Sequence, residues 1–204
     1  MDSVTNLVKD CYKSIAAPSK GLYKDKGSKF LAFAYPVESE AQVRDIVSAL
    51  KKEFFDARHH CYAYRLGLNG DRWRANDDGE PSSTAGRPIL GQILSAELSD
   101  ILIVVVRYFG GILLGTSGLT IAYKSAAADA IANAVIVEKT ASELFEIRFD
   151  YLQMNDVMKA LKELRITPLE QDFGESCLIA ASVRLRDIDR FKEMLKFAQI
   201  CQRV

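Results

Sequence analysis

At 204 residues, with 49% hydrophobic and 26% charged positions, the chain is long enough for one large or two small domains and too apolar to be disordered. Bases and acids balance at 27 each, 16 of each up to residue 138 and 11 of each after it, so no global field steers the protein to nucleic acid or to a lipid surface. The longest apolar run, "ILIVVV" at 101–106, falls far short of the roughly 20 residues of a membrane span, and the start lacks a basic region followed by an apolar one. A soluble, cytoplasmic protein is expected, with no membrane association. The four cysteines at 11, 61, 177 and 201 form no CxxC pair, which predicts free thiols and no metal site.

In chain order, two strand-like stretches around "GLYKDKGSKFLAFAYPV" come first. "SEAQVRDIVSALKKEFF" opens with Ser39 and Gln42 in capping-box spacing and places Val43, Ile46, Val47, Leu50 and Phe54 on one stripe, an amphipathic helix lying on a sheet. "HHCYAYRLG" and "DRWRAN" flank Leu68-Asn69-Gly70-Asp71, where Asn-Gly is a strong signal for a two-residue hairpin turn. With Asn69 and Gly70 at the tip, the register pairs Arg65 with Arg74, Gly67 with Arg72, Leu66 with Trp73 and Tyr64 with Ala75. One face would then carry Tyr62, Tyr64, Leu66 and Trp73, and the other Arg65, Arg72 and Arg74. Like charges opposed on a sheet cost up to about 1 kcal/mol, so the arginine face calls for either an anionic partner or nearby acids such as Asp77 and Asp78. His59 and His60 are adjacent and point to opposite faces of their strand, which disfavours a shared metal.

The stretch "WRANDDGEPSSTAGRP", 73–88, has neither helical nor strand periodicity. Its acids, Asp77, Asp78 and Glu80, are compatible with a cation site or acid–base chemistry, but acids beside a glycine more commonly serve turns. Pro81 and Pro88 stiffen the loop at both ends through Glu80 and Arg87, Ser82, Ser83 and Thr84 offer hydroxyls, and Gly79 and Gly86 permit close backbone approach. A stiff loop on a sheet is a natural recognition site.

Beyond it, "ILGQILSAEL" reads as a helix and "DILIVVVRYF" as a strand buried on both faces. "GGILLGTS" at 110–117 then leads into a helix on which Leu119, Ala122, Tyr123, Ala126, Ala130 and Ala134 share a face small enough for close approach to the sheet. The glycine turn lacks the lysine of a P-loop, and "GTSGL" is not a nucleophile elbow. Free N–H groups at a helix start still make an anion site, and Thr116 or Ser117 is placed to cap it.

A second unit begins around 136–142. "SELFEIRFD" is a strand, "NDVMKALKELRI" a helix, "PLEQDFGESCLIAASVRL" a strand pair turning at Gly174 and "DIDRFKEMLKFAQ" a last helix. That β-α-β-β-α order is ferredoxin-like, with at most a vestigial final strand.

Three motifs in order, "DARHHCYAYRLG", the 73–88 stretch and "VVVRYFGGILLGTSGLTIAY", resemble the IMPACT family of translation regulators over residues 18–138. The resemblance implies an α+β fold: an N-terminal domain (1–138) similar to domain 2 of ribosomal protein S5 and domain IV of elongation factor G, followed by a small ferredoxin-like βαββα domain (139–204) of the kind bacterial members carry. It also implies action by contact with a partner, since eukaryotic members interfere with activation of a kinase that shuts down translation initiation. The family pattern carries a lysine where this chain has Leu113, glycines at Ser83 and Ser117, and an arginine at Ile121. The expected function is translation-associated regulation, without catalytic residues or cofactor, through a protein or structured RNA of the translation machinery. The competing reading is a binder or enzyme for a small phosphate or carboxylate ligand. Either would use Arg65, Arg72 and Arg74 of the hairpin, Asp78, Glu80, Ser82, Thr84, Gly86 and Arg87 of the stiff loop, and Arg107, Tyr108, Gly110, Gly111, Gly115, Ser117 and Gly118 around the glycine turn, with an anion bound there as one outcome. Oligomeric state is open.

Overall fold

The computed structural model describes residues 10–174 and 176–203. The chain divides into two compact units, Tyr12–Lys139 and a second comprising Thr140 onward together with Asp10 and Cys11.

The first unit is built on a five-stranded antiparallel sheet of order β2-β3-β6-β4-β5: β2 (Ser19–Asp25), β3 (Ser28–Pro36), β4 (His59–Leu66), β5 (Arg72–Asn76) and β6 (Ile101–Tyr108). β1 (Cys11–Ile15) and β7 (Ile136–Thr140) pair separately. The central strand β6 is buried on both sides, as its continuous apolar run predicts. Against one face lies α1 (Glu40–Glu53), whose Val43 and Leu50 join Phe33, Tyr64, Leu66, Leu102, Val104 and Val106 in one core. Gln42 N–H donates to the Ser39 hydroxyl at the helix start, and the Gln42 side chain accepts from Glu38 N–H rather than from Ser39's own.

The opposite face carries α2 (Gly86–Ser95) and α3 (Gly115–Ala132), packed over Phe30, Cys61, Ala63, Ile103 and Val105. Ala122, Tyr123, Ala126 and Ala130 are buried there, and the small side chains let α3 sit so close that a Cβ on Gly21 of β2 would lie 2.3 Å from the Ala130 nitrogen.

The hairpin register differs from the Asn-Gly expectation by one residue. Tyr64 stands opposite Arg74, Arg65 opposite Trp73 and Leu66 opposite Arg72. Positive φ falls at Gly67 (83°) and Gly70 (66°), closed by Gly70 N–H to Gly67 C=O, so the connection is longer than a two-residue turn. The cause is tertiary. Gly67 N–H donates to the Asp100 carboxylate (2.8 Å), and the Ser99 hydroxyl donates to Gly67 C=O, so Gly67 is clamped out of the ladder. A one-residue slip moves side chains to the other face: Trp73 joins Arg65 on the α2 side, and Arg72 and Arg74 lie with Tyr62 and Tyr64 on the α1 side. The predicted three-arginine face therefore does not exist.

The second unit is a four-stranded antiparallel sheet of order β11-β8-β10-β9, with β8 (Ser142–Phe149), β9 (Pro168–Phe173), β10 (Cys177–Arg184) and β11 (Gln199–Arg203). Helices α4 (Met154–Glu163) and α5 (Ile188–Met194) belong to it, and its core includes Phe145, Ile147, Val157, Leu161, Ile179 and Phe191. The final strand is no vestige: β11 pairs with β8 over five residues, and α5 ends early, at Met194, to leave chain for it.

Candidate functional site

The 77–86 loop is held by its own first acid. Asp77 Oδ1 accepts from the N–H groups of Ala85 (3.0 Å) and Gly86 (2.8 Å), and Oδ2 from Ser83 N–H (2.9 Å). Because Ala85 and Gly86 start α2 and no side chain at the cap position serves them, Asp77 caps that helix from nine residues upstream. Asp78, at φ 41°, is tied to the other side of the sheet: Oδ2 accepts from His60 N–H (2.7 Å) and Oδ1 pairs with Lys51 (2.8 Å). The buried Thr84 hydroxyl donates to Pro81 C=O (2.7 Å), while Ser82 and Ser83 are exposed. The acids thus bind backbone and lysine, and the expectation that they neutralise the hairpin arginines does not hold.

Glu80 turns inward. Its side chain is 3% exposed and accepts from an Arg107 NH1 group and from the Tyr123 hydroxyl (2.8 Å). Strand pairing explains the meeting, because His59 of β4 and Phe30 of β3 both stand opposite Arg107 of β6, so the three share the α3-side face. The guanidinium lies 5.6 Å from the Phe30 ring centroid and 5.7 Å from that of Phe109. His59 Nε2 is 3.9 Å from Glu80, its Nδ1 being 2.8 Å from Asp78 C=O. Burial pushes the Tyr123 phenol far above its ordinary range, with Cys61 and Glu80 adding to the rise, so it is always a donor to Glu80. Burial likewise raises the Cys61 thiol, against the opposing effect of its hydrogen bond with Tyr123, in which the thiol donates to the phenol oxygen (3.3 Å), so the group is held in its protonated form.

This network floors a cleft of about 430 Å³ lined by Arg58, His59, Glu80, Pro81 and Arg107 on one side and by Phe109, Leu113, Leu114, Gly115, Thr116 and Leu119 on the other. The N-terminus of α3 opens on it. Neither Thr116 nor Ser117 caps that helix: the cap position is Leu114, no side chain bonds to it, and no acid lies in the first turn. Gly110 backs onto Gly27, where a Cβ would come within 2.0 Å of backbone, so the glycine turn is pinned to the β2–β3 hairpin.

Of the residues expected from sequence, Glu80, Arg107 and Gly115 line the cleft. Tyr108 points to the α1 side and donates to Asp56 (2.8 Å), and Arg65 is occupied by Leu98 C=O (2.9 Å) and Asn69 C=O (2.8 Å). Arg87 lies 5.5 Å over the Trp73 ring, on the sheet face away from Arg72 and Arg74. Gly111, Ser117 and Gly118 belong to the turn and first helical turn without lining the cleft, and Gly86 starts α2 against Asn76.

A family model, the Impact N-terminal domain, matches residues 26–131. The chain is 30% identical over 182 residues to the IMPACT family member YigZ of Escherichia coli (strain K12), covering 88% of this chain and 89% of that one. This chain belongs to the IMPACT family. Within the family it is also 32% identical over 168 residues to YvyE of Bacillus subtilis (strain 168), covering 82% of this chain and 77% of that one. A crystal structure described as that of a hypothetical protein superposes with a TM-score of 0.72 at 27% identity, over 96% of this chain and 98% of that one. Both loops and the whole cleft fall within the matched IMPACT domain. Sequence reasoning missed Asp77 as a cap, His59, and the tyrosine hydroxyl. The position of His59 beside Arg107 follows from strand alternation, whereas nothing local marks Tyr123 as more than core.

Proposed function

We propose that the chain is a cytoplasmic, translation-associated regulator that acts by docking a protein partner on its first unit. Membership of the IMPACT family supports the translational setting. The observation that carries the protein reading is the 109–113 segment, where Phe109, Ile112 and Leu113 are exposed, Leu113 at 82%, with Ile121 exposed on the adjoining helix. Contiguous exposed apolar side chains on a pinned turn favour protein contact. A structured RNA would need a continuous cationic stripe. The hairpin arginines are instead split between two faces, with Arg65 already bonded within the fold. Among the described residues no helix is long and apolar enough to cross a membrane.

Affinity capture from lysate with and without nuclease tests the proposal. Capture of a translation component is expected to survive nuclease, to be lost in an Ile112→Glu, Leu113→Glu variant, and to persist in Arg72→Glu, Arg74→Glu. Both substitutions are on the surface and should leave stability within about 0.5 kcal/mol. Capture that nuclease abolishes, or that ignores the apolar variant, overturns the protein reading; a captured protein with no tie to translation overturns the setting.

A further inference from the structure

β5 ends the sheet of the first unit, and its residues 72, 73 and 74 are all exposed, so the strand is open on both faces as well as along its outer edge. Among the described residues, no hydrogen bond reaches the backbone of 72–74 from outside the β4 ladder. An edge of this kind is a template for one more strand, and its side chains decide which strand fits. Arg72 and Arg74, opposite Leu66 and Tyr64, flank the edge on the α1 side. Trp73 stands on the α2 side, 48% exposed, with Arg87 over its ring. A groove of about 420 Å³ continues the cationic side past Asn76, the last residue of β5, and is lined there by Arg44, Lys51 and Lys52 of α1. Asp78, the one acid among the described residues that line it, is already paired with Lys51. Arg44, Lys52, Arg72 and Arg74 are exposed and form no salt bridge among the described residues.

We infer that the β5 edge takes an extended acidic segment of a partner protein as a sixth strand, on a surface separate from the 109–113 turn. Side chains of an added strand alternate between the two faces. Acids at every second position then meet Arg72, Arg74 and the groove beyond Asn76, while the residue between the first two acids lies against Trp73. The same arginines reject a second copy of this chain. Antiparallel self-pairing about Trp73 would set Arg72 against the copy's Arg74, and like charges directly opposed destabilise a sheet. Backbone pairing supplies affinity without regard to sequence, so the acid-x-acid spacing carries the specificity.

The test uses the purified full chain and labelled synthetic peptides, read by fluorescence anisotropy at about 0.15 M salt, so its result is separate from that of partner capture. A short peptide alternating Glu and Val is expected to bind with a Kd of about 1 mM or tighter, at least about tenfold better than its Lys-Val counterpart. Arg72→Glu with Arg74→Glu should weaken it about tenfold or more at unchanged Tm, while retaining partner capture through residues 112 and 113. Two further peptides carry backbone N-methyl groups, one on every Glu and the other on every Val. In a strand, successive N–H groups point to opposite edges, so one methylated peptide should lose binding and the other keep it, whereas attraction by charge alone treats the two alike. Equal behaviour of the two methylated peptides, equal binding of the Lys-Val peptide, retention in the double variant, or no binding at about 1 mM would each overturn the inference. Tighter binding of an oligouridylate, lost in the same variant, would overturn it in favour of a nucleic acid.

Discussion

The two loops that face each other across the cleft, 77–86 and 109–115, are made of opposite chemistry, and their roles are the reverse of what that chemistry suggests. The first is dense in acids and hydroxyls, the residue types of active sites. Its Asp77 is consumed by three backbone N–H groups, its Asp78 by Lys51 and a strand N–H, and its Thr84 by a carbonyl within the loop. The second has hardly a polar side chain, yet it leaves Phe109, Ile112 and Leu113 in solvent and a helix start uncapped. Polar groups in a loop satisfy the backbone first, because an unpaired buried N–H is expensive. Surface for a partner is left where no such debt exists. A buried ion pair links Glu80 of the first loop to Arg107 of β6, the strand that leads into the second.

Breaking that link is expected to have the largest effect. Arg107→Met strands the Glu80 carboxylate in a buried position and should lower stability by about 3–5 kcal/mol, measured by chemical denaturation. Adding Glu80→Gln keeps an acceptor for Tyr123 without the charge and should recover most of the loss; a double variant as unstable as the single one would show that packing of Arg107 on Phe30 and Phe109 matters more than the pair. Next in size, Asp77→Ala removes the acceptor for Ser83, Ala85 and Gly86 together and should cost about 2–3 kcal/mol. A loss below about 0.5 kcal/mol, the range of a surface change, would mean that the loop does not depend on its first acid and would erase the contrast.

The parts of the fold that can be read from sequence are those governed by periodicity. The apolar run of β6, the stripe and cap of α1, and the small-residue face of α3 all appear where their spacing puts them. The hairpin register failed because Asn69-Gly70 is a local signal, and Ser99 and Asp100, some thirty positions away, overrule it by holding Gly67. β11 was underestimated because its role is to pair with β8, which five residues at a chain end do not announce. For the site, Glu80 and Arg107 are each conspicuous, but their contact spans 27 positions and needs both the turn at Pro81 and the pairing of β4 with β6. The uncapped start of α3 was hidden by Thr116 and Ser117, good capping residues that fall two and three places too late.

Acid provides the mildest test of the contrast, because it acts beneath one loop and not the other. His60 is 6% exposed on β4, its N–H holds Asp78, and its Nε2 has no hydrogen-bond partner among the described residues. Desolvation lowers its pKa below the ordinary 6.5, with Asp78 opposing the shift and Lys51 adding to it. A histidine held neutral by the fold binds fewer protons than its unfolded counterpart. Its contribution is therefore complete above pH 6.5 and declines as pH falls from there towards the lowered folded value. Tm should accordingly fall between pH 7 and pH 5 in the parent protein, and the slope should be shallower in His60→Leu, which fills the same space without a titrating ring. Over the same interval, amide exchange should speed up first at His60 and in the 77–86 loop that hangs from it, while residues 109–115 keep their pH 7 pattern apart from the intrinsic pH effect. Equal slopes in parent and variant would show that protonation of His60 is not what loosens the polar loop, and that its hold rests on Asp77 alone.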